Sequence, residues 1–158
     1  MSFDRGFYDF IYGSIHHHEY ADGRANELIR MYGTGPSLEI GCGCGMLVAA
    51  MREKGAEAYG IDVSEYAASE RCSEFVTRAD ARELPFPDGR FDLVHSWAVF
   101  GYNDEAGTRR MISEVNRVGL TQYHTIDFVQ AEIPNYTHGY VFMKPRPWWD
   151  AQMENGCI

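Results

Sequence analysis

No stretch of this 158-residue chain approaches the roughly 20 consecutive apolar residues needed to cross a bilayer, and Met1 to Arg5 does not lead into the apolar run of an export signal. A cytoplasmic protein with no membrane partner is the expectation. Basic residues are scarce: 14 Lys and Arg stand against 23 Asp and Glu, for a formal net charge of -9. The cations are scattered, which argues against a nucleic-acid partner, because phosphate contacts need grouped Lys and Arg. Cysteine is sparse too. Cys42, Cys44, Cys72 and Cys157 have no disulfide-framework spacing, and Cys42-Gly43-Cys44 lacks the second ligand pair of a zinc site, so free thiols and no metal are expected. The run His16-His17-His18-Glu19 does not supply a metal site instead, since consecutive side chains diverge in both helices and strands.

What is present is an ordinary folding composition. Hydrophobic residues make up 45% and charged residues 23%, enough to bury one core, and the length fits a single domain over residues 1–158. Apolar positions from Glu19 to Tyr32 have helical spacing and stop at Gly33-Thr34-Gly35-Pro36, so residues 1–35 are expected to form a helical segment ahead of a core over residues 36–129. Pro36 to Gly41 reads as a buried strand and Met46 to Lys54 as a helix closed by Gly55. Ala58 to Val63 is a second strand, followed by a helix start capped by Ser64. Glu74 to Asp80, Phe91 to Ala98 and Gln122 to Val129 read as strands three to five, with a helix from Asp104 to Val118 before the last. Residues 130–158 leave room for one more strand, Tyr140 to Lys144, and an irregular aromatic tail. Alternation of this kind implies right-handed crossovers and an α/β, Rossmann-like doubly wound sheet, mostly parallel, covered by helices on both faces and reduced at its C-terminal end.

Ligands of such sheets bind outside the carboxyl ends of the strands, where strand order reverses, and the first strand–helix turn needs glycines for close backbone approach. Gly41, Cys42, Gly43, Cys44 and Gly45 form that turn. Asp62, at the tip of the second strand, is placed to accept from a ribose diol, and Asp80 tips the third. A nicotinamide dinucleotide fits poorly, because its fingerprint G-x-G-x-x-G needs a third glycine where this chain has Met46. No Gly-Lys-Ser/Thr follows the turn, which excludes a P-loop.

Four segments in order resemble the motifs of class I S-adenosylmethionine-dependent methyltransferases, especially the branch acting on quinones and other small molecules. They are Leu38 to Gly45, Gly60 to Ser64, Ala79-Asp80-Ala81 and Leu84 to Val94, and the likeness extends to about Val118. The resemblance implies that S-adenosylmethionine is the cofactor and S-adenosylhomocysteine its product. It implies that Glu39 and Gly41 lie under the methionine portion and that Asp62 holds the ribose. It further implies Val63 packing on the adenine, Asp80 and Ala81 meeting the adenine edge, and Cys42, Gly43, Gly45 and Ser96 completing the cofactor site. By analogy with the pre-strand segment of relatives, Tyr8, Tyr12, His17, Tyr20 and Arg24 are lid candidates.

Methyl transfer from a sulfonium is an in-line substitution, so the protein mainly positions the acceptor and at times removes its proton. Acceptor residues should come from the ends of strands four and five, from the segment before strand one and from the loop after Trp97. Strand four lacks the Asn/Asp-Pro-Pro-aromatic sequence of adenine and glutamine methyltransferases, and Gly101-Tyr102 stands where many small-molecule relatives have Glu-His. The remaining catalytic candidates are Asp127 and Tyr102; His95 reads as a buried, hydrogen-bonded histidine. Where the family enters strand five through Lys-Pro-Gly-Gly, Gly119 alone is expected to make the turn. The expected partner is a small-molecule acceptor, its pocket left open, closed by the tail from Tyr136 to Trp149, or completed by a second subunit of a homodimer. The alternative function is a catalytically degenerate module that binds the cofactor and regulates a partner.

Overall fold

The computed structural model describes residues 3–12, 18–126, 144–153 and 156–157. Its frame is one six-stranded sheet in the order β3-β2-β1-β4-β5-β6. The strands are β1 (Ser37–Ile40), β2 (Ala58–Asp62), β3 (Val76–Arg78), β4 (Phe91–Trp97), β5 (Gly119–Thr125) and β6 (Gly156–Cys157). All five pairings are parallel. All four residues of β1 are buried, as a central strand covered on both faces requires. Strand order reverses between β1 and β4, which opens a crevice beyond Ile40 and Trp97.

Side-chain alternation divides the core in two. Leu38, Ile40, Ile61 and Val94 face α5 (Glu105–Val118), whose Met111, Ile112, Val115 and Val118 supply the covering stripe. The fully buried Trp149 of α6 (Arg146–Asp150) joins that layer, its ring 5.9 Å from Phe100. Ala58 and Leu93 face the other way, toward Ala25 and Leu28 of α2 (His18–Tyr32) and Val48 and Met51 of α3 (Met46–Glu53). Helix ends follow their caps: the Ser64 hydroxyl accepts from Ala67 N at 3.0 Å to start α4 (Glu65–Ser69), and an Asp104 carboxylate oxygen accepts from Gly107 N at 2.7 Å to start α5. No helix among the described residues is long and apolar enough to cross a membrane.

The expected α/β doubly wound sheet is present, with four differences. The helical segment expected over residues 1–35 holds a separate first helix, α1 (Arg5–Tyr12), which the sequence does not delimit, ahead of α2. The third strand is reduced to three residues, Val76–Arg78. The expected turn at Gly119 does not exist: Gly119 is extended, with φ −117° and ψ 140°, and α5 passes straight into β5. That strand begins three residues before Gln122 and ends at Thr125. Finally, the sixth strand is Gly156–Cys157, parallel to β5. The strand expected at Tyr140 to Lys144 lies outside the described residues apart from Lys144, which precedes α6.

Candidate active site

A cleft of about 1350 Å³ opens at the carboxyl ends of the strands, lined by the glycine turn, the ends of β2 and β4, and parts of α1 and α2. The turn is anchored from beneath, because Gly41 N and Cys42 N both donate to the Ile61 carbonyl, at 2.8 and 3.0 Å. Two of its glycines are dictated by space as well as by φ. Gly41 has φ 68° and an added Cβ would lie 2.5 Å from Val99 Cγ2; Gly45 has φ 84° and its Cβ would collide with Val76. Gly45 thus serves the packing of α3 against β3 and does not line the cleft.

Two buried carboxylates sit at the floor. Asp62 is held by backbone, its Oδ2 accepting from Gly43 N and its Oδ1 from Ser64 N, each at 2.8 Å, with the Tyr8 hydroxyl as a further donor. Burial raises its pKa from the ordinary value, against the pull of those donors. Glu39 faces the same space with Oε2 buried and unpartnered. Burial first, and the neighbouring Asp62 charge second, push its pKa up to about 8, while the Arg24 guanidinium opposes both. An unpartnered buried carboxylate beside a second one favours a cationic ligand with donors, such as an ammonium group.

Arg24 of α2 forms the opposite wall. Its guanidinium lies 4.5 Å from the Trp97 ring centroid and 4.9 Å from that of Tyr123, and it pairs with Glu27 at 2.9 Å. Tyr20 and Trp97 are exposed beside it. Helix α1 covers the other side through an aromatic cluster, in which Phe3 and Phe7 meet Tyr102 edge-on at 5.4 and 5.6 Å. The Ser64 hydroxyl ties this segment down by donating to the Phe3 carbonyl at 2.5 Å. At the end of β4, Ala98 takes a left-handed φ of 52°, its amide hydrogen-bonded to Thr125, and brings Val99 against the turn.

Of the residues singled out in the sequence, Glu39, Gly41, Cys42, Gly43, Asp62, Val63, Asp80, Ala81, Tyr102, Tyr8, Tyr20 and Arg24 all line the cleft. Asp80 does so with its carboxylate already engaged in a two-pronged contact with Arg82, which holds its pKa below the ordinary value. Ser96 is turned away. Register puts it on the α5 face opposite His124, and its hydroxyl meets His124 Nδ1 at 2.8 Å in a site only 2% exposed. His124 Nε2 continues to Gln122 Oε1 at 2.8 Å, and Gln122 donates to the Val115 carbonyl at 2.7 Å. The chain resembles a nucleophile, base and orienter, but the hydroxyl has no access to a ligand and the imidazole is held neutral, burial lowering its pKa to about 3. His95, on the opposite face in register with Glu39, is buried with its pKa lowered equally far by burial and then by Arg24. Asp127, His17 and the Tyr12 side chain lie outside the described residues.

The cleft is also lined by Phe3, Phe7, Trp97, Ala98 and Val99, which the sequence indicates only as part of the segment before β1 and of the loop after Trp97, not residue by residue. The spacing of Phe3, Phe7 and Tyr8 is an aromatic stripe at helical period, a signal that was available. Among the described residues of the tail, 144–153, none reaches the cleft, because Trp149 and Met153 are spent in the core beneath α5, so this part of the tail does not close the pocket. Nor do the described residues hold a cluster of three or more His, Cys, Asp or Glu able to bind a metal.

Residues 38–119 match the family described as methyltransferase domain. A probable tocopherol O-methyltransferase, chloroplastic, from Oryza sativa subsp. japonica is 36% identical over 92 residues, 51% of this chain and 25% of its own. A malonyl-[acyl-carrier protein] O-methyltransferase from Pseudescherichia vulneris is 34% identical over 87 residues, 52% of this chain and 35% of its own. The chain thus spans a quarter to about a third of the length of these two relatives. Among solved structures, a SAM-dependent methyltransferase from Archaeoglobus fulgidus superposes with a TM-score of 0.71 at 21% identity, over 94% of this chain and 71% of that one. A protein from Methanococcus maripaludis described as a putative S-adenosylmethionine-dependent methyltransferase gives 0.63 at 17% identity, over 78% and 64%. At such identities the likeness is one of fold.

Proposed function

The chain belongs to the methyltransferase domain family, whose methyl donor is S-adenosylmethionine, and on that premise we propose that it carries the methyl group to an oxygen or carbon nucleophile of a small molecule. The observation that carries this reading is the unpartnered Glu39 oxygen beside Asp62, at the floor of a cleft at the point where strand order reverses. The residues present fit the cofactor's chemistry. Glu39 would take the amino group of the methionine portion, Asp62 the ribose hydroxyls through lone pairs left beside its backbone donors, and Val63 the adenine face. Asp80 would meet the adenine amine with the lone pairs that Arg82 leaves free. When bound, S-adenosylmethionine supplies an electrophilic methyl on a sulfonium.

The protein's own part is positioning. Asp62, and Glu39 once a bound ammonium has displaced its proton, give the floor a negative field that favours the cationic sulfonium ligand, and this attraction is reduced once the sulfonium has become a neutral thioether. Helix α1 and the Phe3, Phe7 and Tyr102 rings exclude water from that side. The acceptor would enter along the wall of Tyr20, Trp97 and Val99, an aromatic and apolar surface suited to a planar or hydrocarbon-rich molecule. Tyr102 is the described side chain we assign to hydrogen-bond its nucleophile; Asp127 remains a second candidate for that role. The two curated relatives described above are named as O-methyltransferases, which supports oxygen over carbon.

The test is calorimetry with S-adenosylmethionine and S-adenosylhomocysteine, followed by incubation of methyl-labelled cofactor with a panel of phenolic and carboxylic acceptors. Micromolar binding and a labelled product are expected. Absence of heat with the folded protein at millimolar ligand would overturn the cofactor reading; binding without transfer to any acceptor would favour a regulatory module.

A further inference from the structure

Cys44 and Cys72 stand 28 positions apart, yet their sulfurs are 2.9 Å from each other. Cys44 is buried in the middle of the glycine turn, whereas Cys72 is exposed on the segment joining α4 to β3. Their backbones are locked together independently of the thiols, by a hydrogen bond from Cys72 N to the Cys44 carbonyl of 2.6 Å. That bond limits the Cα separation to about 6.5 Å by standard bond lengths, within the usual span of a disulfide. Closing the sulfurs to about 2.05 Å needs a shift of under roughly 1 Å, which side-chain rotation can provide.

We propose that Cys44 and Cys72 form a reversible, peroxide-driven disulfide that fastens the α4–β3 segment to the glycine turn. Exposure assigns the order of events. A hydroperoxide meets Cys72 first: its thiolate attacks the peroxide oxygen, the O–O bond breaks, and Cys72 becomes a sulfenic acid as hydroxide or water leaves. The Cys44 sulfur then attacks the Cys72 sulfur, the S–O bond breaks, and water leaves with the Cys44 proton. Over both steps two thiols lose two electrons and two protons to one peroxide, which becomes two waters. Burial pushes the Cys44 thiol above its ordinary pKa, consistent with a resolving rather than an attacking role toward peroxide. Cys42 takes no part, because its sulfur packs over Gly60 on the other side of the turn. Since the backbones are already joined, the turn keeps its shape on oxidation and the cleft keeps its floor.

The experiment uses the full chain, reduced, desalted and treated with equimolar hydrogen peroxide. Titration should lose two thiols, and digestion without reductant should release a Cys44–Cys72 linked peptide that dithiothreitol separates. Cys72→Ser should abolish the link and Cys157→Ser should retain it. Tryptic cleavage after Arg71, exposed beside Cys72, should be several-fold slower in oxidised wild-type protein than in reduced. Over-oxidation of Cys72 to the sulfinic acid without a link, a link from Cys72 to another cysteine, or faster cleavage at Arg71 after oxidation would each overturn the proposal. None of these readouts depends on cofactor binding, so the proposal stands or falls apart from the assigned function.

Discussion

Binding of an ammonium ligand at Glu39 has a proton signature that can be worked from the structure. In the free protein Glu39 titrates near 8 instead of 4.5, so at pH 6.5 it is almost wholly protonated. A ligand ammonium seated on Oε2 demands the carboxylate, and the proton must leave. With an α-amino pKa of about 7.8 for the ligand, binding at pH 6.5 should release about 0.9 proton. At pH 9 the carboxylate is already ionised and the amine is largely neutral, so binding should take up about 0.8 proton instead. Affinity for S-adenosylmethionine should therefore pass through a maximum near pH 8, falling by up to tenfold per pH unit on either side. Calorimetry at pH 6.5 in phosphate and in imidazole, whose ionisation heats differ, reads the proton number from the dependence of the apparent enthalpy on buffer. Glu39→Gln should abolish the release at pH 6.5 while leaving the uptake at pH 9. A release below about 0.2 in the native protein at pH 6.5, or one that survives Glu39→Gln, would refute the assignment of the ammonium to Glu39.

Glu39 together with His95 and His124 predicts the pH dependence of stability. His95 and His124, lowered to about 3, make the unfolded chain bind more protons between pH 3 and 6.5, so stability rises with pH there. Glu39, raised to about 8, makes the folded chain bind more between 4.5 and 8, so stability falls with pH there. Urea unfolding of the ligand-free protein should show a maximum near pH 6.5 with flanks of about 1 kcal/mol per pH unit, and Glu39→Gln should flatten the alkaline flank. Ser96→Ala should cost about 1–3 kcal/mol by leaving His124 Nδ1 unpartnered, with cofactor affinity unchanged by calorimetry. Ala98→Gly should raise the urea midpoint, by about 1 kcal/mol of stability, by relieving the left-handed backbone at φ 52°. Arg24→Met should move the Glu39 titration further up, shifting the affinity maximum to higher pH in the same assay.

The half of the chain from Leu38 to Val118 could be read in advance because each element there announces itself locally. The apolar run of β4, the glycines of the turn and the Ser64 and Asp104 caps need no distant partner to be recognised. Asp62 was legible for the same reason, as a strand-tip acid, whereas Glu39 was legible only through the resemblance of Leu38 to Gly45 to the family's first motif. Ser96 misled because alternation says only that His95 and Ser96 face opposite ways. Which of them faces α5 depends on register with β5 and on the pairing with His124, and neither is written near residue 96. Helix α1 depends on tertiary contact: its Phe7 and Tyr8 gain their place from Tyr102 and Tyr66, far along the chain. Two-residue β6 carries no periodicity to detect.

The direct passage from α5 into β5 bears on how the protein can be re-engineered. With no residue between Val118 and Gly119 to absorb a change of length, one amino acid inserted there would rotate α5 by about 100° or exchange the faces of β5. Either outcome pulls Met111 and Val115 off the sheet or Gln122 and His124 out of the interior. New chain ends, fusion partners or reporter peptides belong instead at Gly33-Thr34 or Asp88-Gly89. Those residues are exposed and lie in the connections between α2 and β1 and between β3 and β4, where no helix runs directly into a strand.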